Sequence, residues 1–253
     1  MAAARSSVVC FTYIPKTPSL TNPSITMKSI VNDPVGNVKE YLFDSRNRCV
    51  SKRDYTGRAV PGQPVTETQN RPTGKLNPSD PDFFETRWEW NADSQVRRAT
   101  YPNGAIIENT YESDLNTNAL PLARGNLRTR RQLSTDQPAL VEQFGYNTNS
   151  ICVSFVTQRT NANGRVISYE YDIAGNRTNE TNPLGFTRAW TYDAYGDVLT
   201  EKDRIGNVTL HFYNEFGYCT NTTDALLNAI TSGYDAIGNL TNRTDANGHA
   251  TIC

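Results

Sequence analysis

Apolar and polar residues in the second half of the chain alternate only weakly, in short segments bounded by turn residues. Segments such as Phe186–Tyr192 and Asp197–Lys202 hold seven and six residues, a length that suits β-strands of about 20 Å and is too short for ordinary helices. Segments that end in tyrosine place Ile167, Tyr169 and Tyr171, or their equivalents, on one face. Because the intervening segments are polar and rich in threonine, neither face is apolar throughout, and the turns must fix the strand register.

Turn residues recur along this region with a period of 21. The first mark is Tyr-Asp or Tyr-Asn with a glycine three residues further on, and its members are Tyr171, Asp172 and Gly175; Tyr192, Asp193 and Gly196; Tyr213, Asn214 and Gly217; Tyr234, Asp235 and Gly238. The second mark, Asn/Asp-x-x-Gly, lies between these and ends at Gly164, Gly185, Gly206 and Gly248. In a type I turn the first side chain accepts a local hydrogen bond, and a glycine at the fourth position permits the unusual backbone exit.

Turns therefore begin alternately every 10 and 11 residues, from Asn161 to Asp245. Strands separated by such turns pair in sequence order as an antiparallel meander, with equivalent tyrosines about 9.6 Å apart on every second strand. At that separation each ring packs on the strand between rather than on the next tyrosine. One turn breaks the rule, because Leu227 stands where the glycine belongs. We expect that turn to be distorted.

Weaker copies of the same marks occur upstream. Asp33-Pro-Val-Gly36 is followed by Phe43-Asp44, and Trp90 and Tyr111 are again 21 residues apart. Prolines crowd the stretch around 60–84, and a basic run follows near 124–131. The predicted organisation is an irregular N-terminal segment (1–30), a degenerate repeat (31–57), a proline-rich loop (58–85), degenerate repeats (86–115), an irregular basic insertion (116–143) and a repeat array (144–253) that stops within a repeat.

Composition narrows the classes of protein. Only 37% of the residues are apolar, which predicts a thin core, whereas 13 tyrosines argue against wholesale disorder. A net charge of −1 offers no general attraction for nucleic acid. No stretch approaches the length of a membrane-spanning helix, and the short apolar patch Val8–Ile14, interrupted by Thr12, does not make a convincing signal peptide.

Cysteine and histidine give no sign of a metal or redox site. The five cysteines (Cys10, Cys49, Cys152, Cys219 and Cys253) are dispersed without metal-ligand spacing, and we interpret them as small buried or incidental residues. His211 and His249 are isolated from each other, and His211 is predicted to be a strand residue. No catalytic residue, metal ligand or cofactor is predicted. The sixteen tyrosine, turn and glycine residues of the two marks are the candidate sites, with a structural role.

The pattern Tyr-Asp-x-x-Gly-Asn, with a second turn at a 21-residue period, resembles the YD repeat of the RHS and teneurin-like proteins over 144–253 and parts of the rest. In that family the repeats form a β-sheet ribbon that spirals into a hollow shell, which in bacterial members encapsulates a C-terminal toxin or effector, while teneurin shells serve in cell–cell contact. The resemblance implies an all-β fold class: an extended antiparallel β-sheet ribbon or spiral, part of an RHS shell, with irregular loop insertions. It also implies an extracellular or cell-envelope location, as a secreted or cell-surface protein.

Two departures from the family pattern matter. Family shells close with an Asp-Pro-x-Gly motif and a self-cleavage site, but Asp33-Pro-Val-Gly36 lies early in the chain and in phase with ordinary turns, so we interpret it as a repeat turn. Adding 21 to Tyr234 places the next tyrosine beyond Cys253. The expectation is a segment of a shell whose partners are the remainder of that shell or a C-terminal effector.

Three functions remain open. A structural, encapsulating scaffold requires only the repeats. A cell-surface carbohydrate-binding or adhesion module would use exposed tyrosines with Trp88, Trp90 and Trp190 to stack on sugar rings. An enzyme, as part of a polymorphic toxin whose catalytic region is absent here, would draw on a basic run made of Arg124, Arg128, Arg130 and Arg131. The first is favoured, because aromatic residues in strands usually pack and a short basic run is usually solvated.

Overall fold

The computed structural model describes residues 8–18, 24–147 and 153–252. Within these ranges the chain forms 19 antiparallel β-strands and a single four-residue helix. This confirms the all-β antiparallel fold that the turn spacing predicted. The chain divides into two compact units, Met1–Val141 and Glu142–Cys253. The helix is far too short to cross a bilayer, and the described ranges contain no longer one.

In the first unit each strand pairs antiparallel with the next along the chain, from β1 to β8. Its elements are β1 Cys10–Pro15, β2 Ile25–Asn32, β3 Asn37–Asp44, β4 Cys49–Arg58, β5 Phe83–Trp90, β6 Val96–Thr100, β7 Ile106–Tyr111, α1 Glu112–Leu115 and β8 Leu127–Leu133.

The second unit is a regular meander in which β9 to β19 pair in sequence order. β9, which begins at the unit boundary, spans Leu140–Tyr146, and the others are β10 Val156–Thr160, β11 Val166–Tyr171, β12 Arg177–Thr181, β13 Thr187–Tyr192, β14 Val198–Lys202, β15 Val208–Tyr213, β16 Cys219–Thr223, β17 Ala229–Tyr234, β18 Leu240–Thr244 and β19 Ala250–Ile252. Turns lie between these strands at each position that the two marks predicted.

The second unit has almost no closed core. Among its described residues, the buried side chains are those of Val153 and Trp190. Strand β15 alternates exposed and half-buried residues, and its exposed face carries Val208, Leu210 and Phe212. Both faces of this sheet therefore remain in contact with solvent, as the weak hydrophobic alternation indicated.

The first unit has a small core beneath the proline-rich loop. Ile30 and Val38, from adjacent strands, pack with Ala59 and Val65 of the loop. Residues 59–82, all described, lie outside the strands, apart from an isolated bridge between Arg58 and Thr73. The loop covers one face of β2 and β3 and supplies the apolar partners that a single sheet cannot supply for itself.

Ion pairs hold the proline-rich loop against the sheet. Glu40 on β3 is 1% exposed, and its Oε1 accepts a 2.6 Å hydrogen bond from Arg71 Nη1 of the loop. Arg71 also donates to the Tyr55 hydroxyl and lies over its ring. Such a buried carboxylate is stable only when its charge is paired. A second loop residue, Glu67, accepts hydrogen bonds from Lys16 and Lys28.

Two segments and one turn differ from the sequence-based expectations. The segment 1–30 contains β1 and the start of β2, although it lacks turn marks; Pro15 is tolerated because it ends its strand. The segment 116–143 contains β8 and the start of β9 rather than only irregular structure. Arg128, Arg130 and Arg131 lie in β8, whereas Arg124 lies in the turn before it. Neighbouring elements supply carboxylates to the strand: Glu108 of β7 lies 3.0 Å from Arg131, and Glu112 of α1 lies 3.4 Å from Arg128.

The turn at Leu227 was expected to be distorted, and that expectation is wrong. Its backbone N–H donates to the Asp224 carbonyl at 3.0 Å, as the glycines do elsewhere. Leu227 instead adopts the glycine conformation, with φ of +65°. The turn keeps its geometry, and the leucine bears the steric strain of the left-handed region.

We predict that Leu227→Gly stabilises the protein by about 1 kcal/mol, because it relieves this strain. The reciprocal change, Gly206→Leu, is expected to destabilise by a similar amount, since Gly206 has φ of +100° and open space where a Cβ would stand. Chemical denaturation measures both. Equal stability of the wild type and both variants would show that a residue with a Cβ adopts the backbone conformation of the fourth turn position without a free-energy cost.

A second prediction concerns acid. Hydrogen bonds from Lys16 and Lys28 lower the pKa of Glu67 from 4.5 to about 2. A carboxylate whose pKa is lower in the folded than in the unfolded protein stabilises the fold at any pH above its unfolded pKa. This contribution to stability is lost as the pH falls toward the folded pKa. Glu67→Gln should therefore be less stable than wild type at pH 7, with a difference that narrows below pH 4.5 and disappears near pH 2.

Denaturant unfolding across this pH range provides the measurement. Glu89→Gln, which removes an exposed carboxylate of β5, is the control and should leave the pH profile of the wild type unchanged. A Glu67→Gln difference that stays constant from pH 7 to pH 2 would contradict the proposed ion pairing.

Candidate functional site: the tyrosine and turn ladder

The sixteen predicted residues lie where the hairpins of the second unit reverse direction. Each tyrosine ends a strand, as Tyr171 ends β11 and Tyr192 ends β13, and the turn follows at once. The glycines of both marks have positive φ, between +73° and +100°. The structure thus brings these residues together in two series of turns, one at each end of the strands.

Every turn is held by the side chain of its first residue. Oδ1 of Asp172 accepts the backbone N–H groups of Ala174 and Asn176, both at 2.9 Å. The Asp172 N–H donates to the Asn176 carbonyl at 3.0 Å, and Asn176 Nδ2 donates to Asp172 Oδ2 at 3.0 Å. The same side-chain pair recurs at Asp33/Asn37, Asp203/Asn207, Asp224/Asn228 and Asp235/Asn239. One carboxylate therefore fixes five consecutive residues.

These hydrogen bonds favour the charged form of the turn carboxylates. The side-chain hydrogen bond from Asn176 is the main cause that lowers the pKa of Asp172, and the bond from Asn207 does the same for the pKa of Asp203. Backbone N–H groups add to both shifts. Asp172 and Asp203 are consequently ionised acceptors at neutral pH, which suits a structural role.

The tyrosine hydroxyls form a regular ladder that the sequence analysis did not foresee. Each hydroxyl donates to the backbone carbonyl 15 residues earlier, on the preceding strand. The bonds are Tyr111 to Val96 (3.2 Å), Tyr171 to Val156 (2.9 Å), Tyr192 to Arg177 (2.8 Å), Tyr213 to Val198 (3.0 Å) and Tyr234 to Cys219 (3.1 Å). Trp90 Nε1 donates in the same way to the Cys49 carbonyl at 2.8 Å, across the proline-rich loop.

The acceptors share a place in the sheet: each lies beside a β-bulge. Tyr171 pairs with Arg177 and Glu170 pairs with Asn179, so Thr178 is an extra residue in β12. A bulge disrupts the local ladder of backbone hydrogen bonds. The hydroxyl of Tyr192, from the next repeat, supplies a donor at the Arg177 carbonyl. A tyrosine therefore joins successive repeats at the point where the sheet is weakest.

Glycine has a second use in two of these turns, because an aromatic ring lies against it. A Cβ on Gly175 would come within 2.8 Å of the Phe155 ring, and one on Gly238 within 2.3 Å of the Tyr218 hydroxyl. These rings in turn contact the repeat tyrosines: Phe155 lies 5.1 Å from Tyr171, and Tyr218 stacks on Tyr234 at 5.1 Å. In these two turns an aromatic ring therefore lies beside a repeat tyrosine, whereas Asn176 and Asp197 lie against the equivalent glycines Gly196 and Gly217.

Trp190, a candidate for sugar stacking, is not available for it. The ring is 8% exposed, with the Arg177 guanidinium 4.8 Å from its centre and that of Arg188 5.1 Å away. Arg188 also pairs with Glu201. Trp88 is half-buried, and Trp90 carries the Arg48 guanidinium over its ring. Trp190 therefore packs within the sheet, and one face of Trp90 is covered by a guanidinium.

The structure also assigns partners to the basic run. Arg124 forms two hydrogen bonds with Asp93, at 2.8 and 3.0 Å, while Arg128 and Arg131 pair with carboxylates of neighbouring elements. In the described part of the chain, no three His, Cys, Asp or Glu side chains gather as metal ligands. Cys10, Cys49 and Cys219 are half-buried free thiols, and His211 lies in β15. Cys152 and Cys253 lie outside the described residues.

Comparison with known proteins identifies the repeat. Residues 155–187 match the family model RHS Repeat. This window contains the turns that begin at Asn161, Asp172 and Asn182, together with the hydroxyl bond from Tyr171 to Val156. The chain therefore contains an RHS repeat, as its turn pattern indicated. No curated protein matches the sequence.

Among solved structures, the chain is similar to a crystal structure of TcdB2-TccC3 without its hypervariable C-terminal region, with a TM-score of 0.59 at 12% identity. That alignment covers 97% of this chain and 15% of the other, so this chain spans a small part of its length. At such identity the similarity shows a shared fold. TcdB2-TccC3-Cdc42 (11% identity, 88% and 16% coverage, TM-score 0.32) and a Tc holotoxin pore of Photorhabdus luminescens (11%, 88% and 16%, 0.33) align less well.

We predict that Tyr213→Phe destabilises the protein by about 1 kcal/mol, the usual net value of one hydrogen bond. The phenylalanine keeps the ring but removes the donor to the Val198 carbonyl. Tyr195→Phe is the matched control. Tyr195 is 94% exposed at a turn tip, so this substitution should leave the free energy of unfolding unchanged. Urea unfolding monitored by circular dichroism measures both, and equal stabilities would refute the role of the hydroxyl ladder.

Proposed function

We propose that this chain is a structural scaffold: a segment of an RHS-type β-shell wall that encapsulates or presents a toxin or effector. The observation that carries the proposal is the solvation of both faces of the second unit, whose described residues include only Val153 and Trp190 as buried side chains. The sheet of a globular domain must bury one face away from water, whereas a wall that contacts water on both sides has no such requirement. The RHS repeat at 155–187 and the fold shared with TcdB2-TccC3 support the same interpretation.

The bonding pattern suits this role mechanically. Turn carboxylates fix each hairpin locally, and tyrosine hydroxyls join each repeat to the preceding one. The stability of such an array is approximately a sum of local and nearest-neighbour terms, so it extends without a central core. The proposal requires no catalytic residue. Its partners are the remainder of the shell or an enclosed effector, and its location is extracellular or at the cell envelope.

Labelling with thiol reagents of two sizes tests the proposal. In the full-length gene product, with native cysteines replaced by serine, Thr209→Cys and Leu210→Cys place one thiol on each face of β15. A shell wall predicts that a small maleimide labels both positions, while a maleimide coupled to a large polymer labels only the outer one. A compact domain would protect one position from both reagents.

Free access of the large reagent to both faces would show that no interior is enclosed, and the encapsulation proposal would then fail. Unfolding each variant in urea before labelling is the control, because both positions must then react with either reagent.

A further inference from the structure

We propose that the second unit binds an arginine side chain of another polypeptide in the cavity between the turns 193–197 and 214–218. This cavity has a volume of about 760 Å³ and lies within the repeat array, between two successive turns that follow tyrosines. The inference goes beyond the scaffold role, and it does not depend on encapsulation.

Carboxylates and aromatic rings form much of the wall of this cavity. The side chains that bear on binding are three of each kind: Asp193, Asp197, Glu215, Tyr195, Tyr213 and Phe216. Apart from His211, no lining side chain can carry a positive charge. Within the described part of the chain, no lysine or arginine forms an ion pair with any of the three carboxylates. Carboxylates beside aromatic faces attract a cation both by charge and by the ring quadrupole.

The turn at the cavity differs from its neighbours in the partner of its first aspartate. In the turns that begin at Asp172 and Asp235, the fifth residue is an asparagine whose Nδ2 donates to the aspartate Oδ2 at 3.0 and 2.9 Å. Asp197 occupies this fifth position after Asp193, and its backbone N–H still donates to Asp193 Oδ1 at 3.0 Å. A second carboxylate thus replaces the amide donor. Two neighbouring carboxylates disfavour each other's charge unless a cation lies beside them.

In two other repeats an aromatic side chain of the protein fills the equivalent space. Phe155 lies 5.1 Å from Tyr171, and Tyr218 stacks on Tyr234 at the same distance. Asp197 is the corresponding residue at the cavity, 21 positions before Tyr218. Because an aspartate has no ring, the space beside the next tyrosine stays open.

The first unit shows which group fits such a site, because an arginine of the chain occupies the equivalent one. Arg48 is the fifth residue of the turn that begins at Asp44, and its guanidinium contacts Asp44 Oδ2 through Nε at 2.8 Å and Nη2 at 2.7 Å. Its Nη1 donates to the Asn91 carbonyl at 2.8 Å, and its Cζ lies 5.9 Å from the centre of the Trp90 ring. One guanidinium therefore contacts a carboxylate, a carbonyl and a ring together.

The cavity offers the same three partners in the same order. Asp193 begins its turn with the two backbone hydrogen bonds that Asp44 also accepts. Tyr213 donates to the carbonyl of the residue after the turn, as Trp90 does. Asn214 follows that ring and begins the next turn, so its carbonyl corresponds to the third partner. The site thus has the carboxylate, the ring and the carbonyl, while its own fifth residue is a second carboxylate instead of an arginine.

The geometry favours arginine over lysine as the occupant. A planar guanidinium can bridge two carboxylates and stack on a ring at the same time, whereas an ammonium is a compact point charge without a flat face. The counterpart in the first unit is the side chain of a polypeptide, which enters from the turn itself. Since Asp197 occupies that position at the cavity, the guanidinium must come from another polypeptide segment.

Titration of the isotope-labelled full chain with short peptides, followed by NMR, tests the inference. The probe is a blocked Gly-Gly-Arg-Gly-Gly peptide, and the same peptide with lysine or with uncharged citrulline in place of arginine controls for charge and shape. We expect the arginine peptide to shift the backbone resonances of Gly196 and Gly217 saturably. The lysine peptide should bind at least threefold more weakly, and the citrulline peptide should not bind.

A pair of matched variants locates the site. Asp197→Asn should weaken binding of the arginine peptide at least tenfold, and it should keep the turn, because asparagine occupies the same position after Asp172 and Asp235. Asp245→Asn removes one carboxylate from a turn at the other end of the strands and should change the affinity less than twofold. Dispersed strand resonances in both variants check that the fold is retained.

Two kinds of result would overturn the inference. Equal affinities for the arginine and lysine peptides, or equal weakening in the two variants, would show a general attraction to an acidic surface. A wild type without saturable shifts, or an Asp197→Asn variant that binds as tightly as wild type, would show that the cavity is not a site for arginine.

Discussion

The structure depends on one local interaction: the first side-chain oxygen of a turn aspartate or asparagine accepts two backbone N–H groups. In the turn after Tyr171 these donors come from Ala174 and Asn176. Because they are two and four residues away, the turn forms without help from distant parts of the chain. Each turn sets the register of the strands on either side. A sheet with few buried side chains can therefore have a defined register, because its hairpins are specified one at a time.

Local turns alone would not join one hairpin to the next, and the tyrosine hydroxyl supplies that connection. Its acceptor, such as the Arg177 carbonyl for Tyr192, lies beside a bulge in the preceding hairpin. The bulge thus both breaks the regular ladder and creates the position that the next repeat recognises. The same contact survives in the first unit with Trp90 and Cys49, although the proline-rich loop separates them in sequence. The spatial relation is retained while the sequence spacing changes.

The sequence predicted the turns and strands well because both are local. The positions of Asp172 and Gly175 specify a backbone shape that any copy of the chain must adopt. The hydroxyl ladder was missed because its acceptors are backbone carbonyls, which leave no residue signature; only the constant 15-residue interval could have indicated it. The strand β8 was missed for another reason: its arginines resemble a solvated loop until Glu108 and Glu112 are seen beside them. Leu227 shows the converse, since the hydrogen bonds of Asp224 hold a residue that disfavours its own conformation.

The two units show different ways for a single-layer sheet to remain folded. The first covers one face with a loop, whose Val65 enters the core and whose Arg71 neutralises the buried Glu40. That arrangement is specific to one place and cannot be repeated indefinitely. The described part of the second unit has no such cover, yet it does not lack apolar residues; Tyr195, Phe216 and Ile237 are exposed at the turns. A chain of low overall hydrophobicity has thus placed much of its apolar surface where it cannot stabilise its own hairpins.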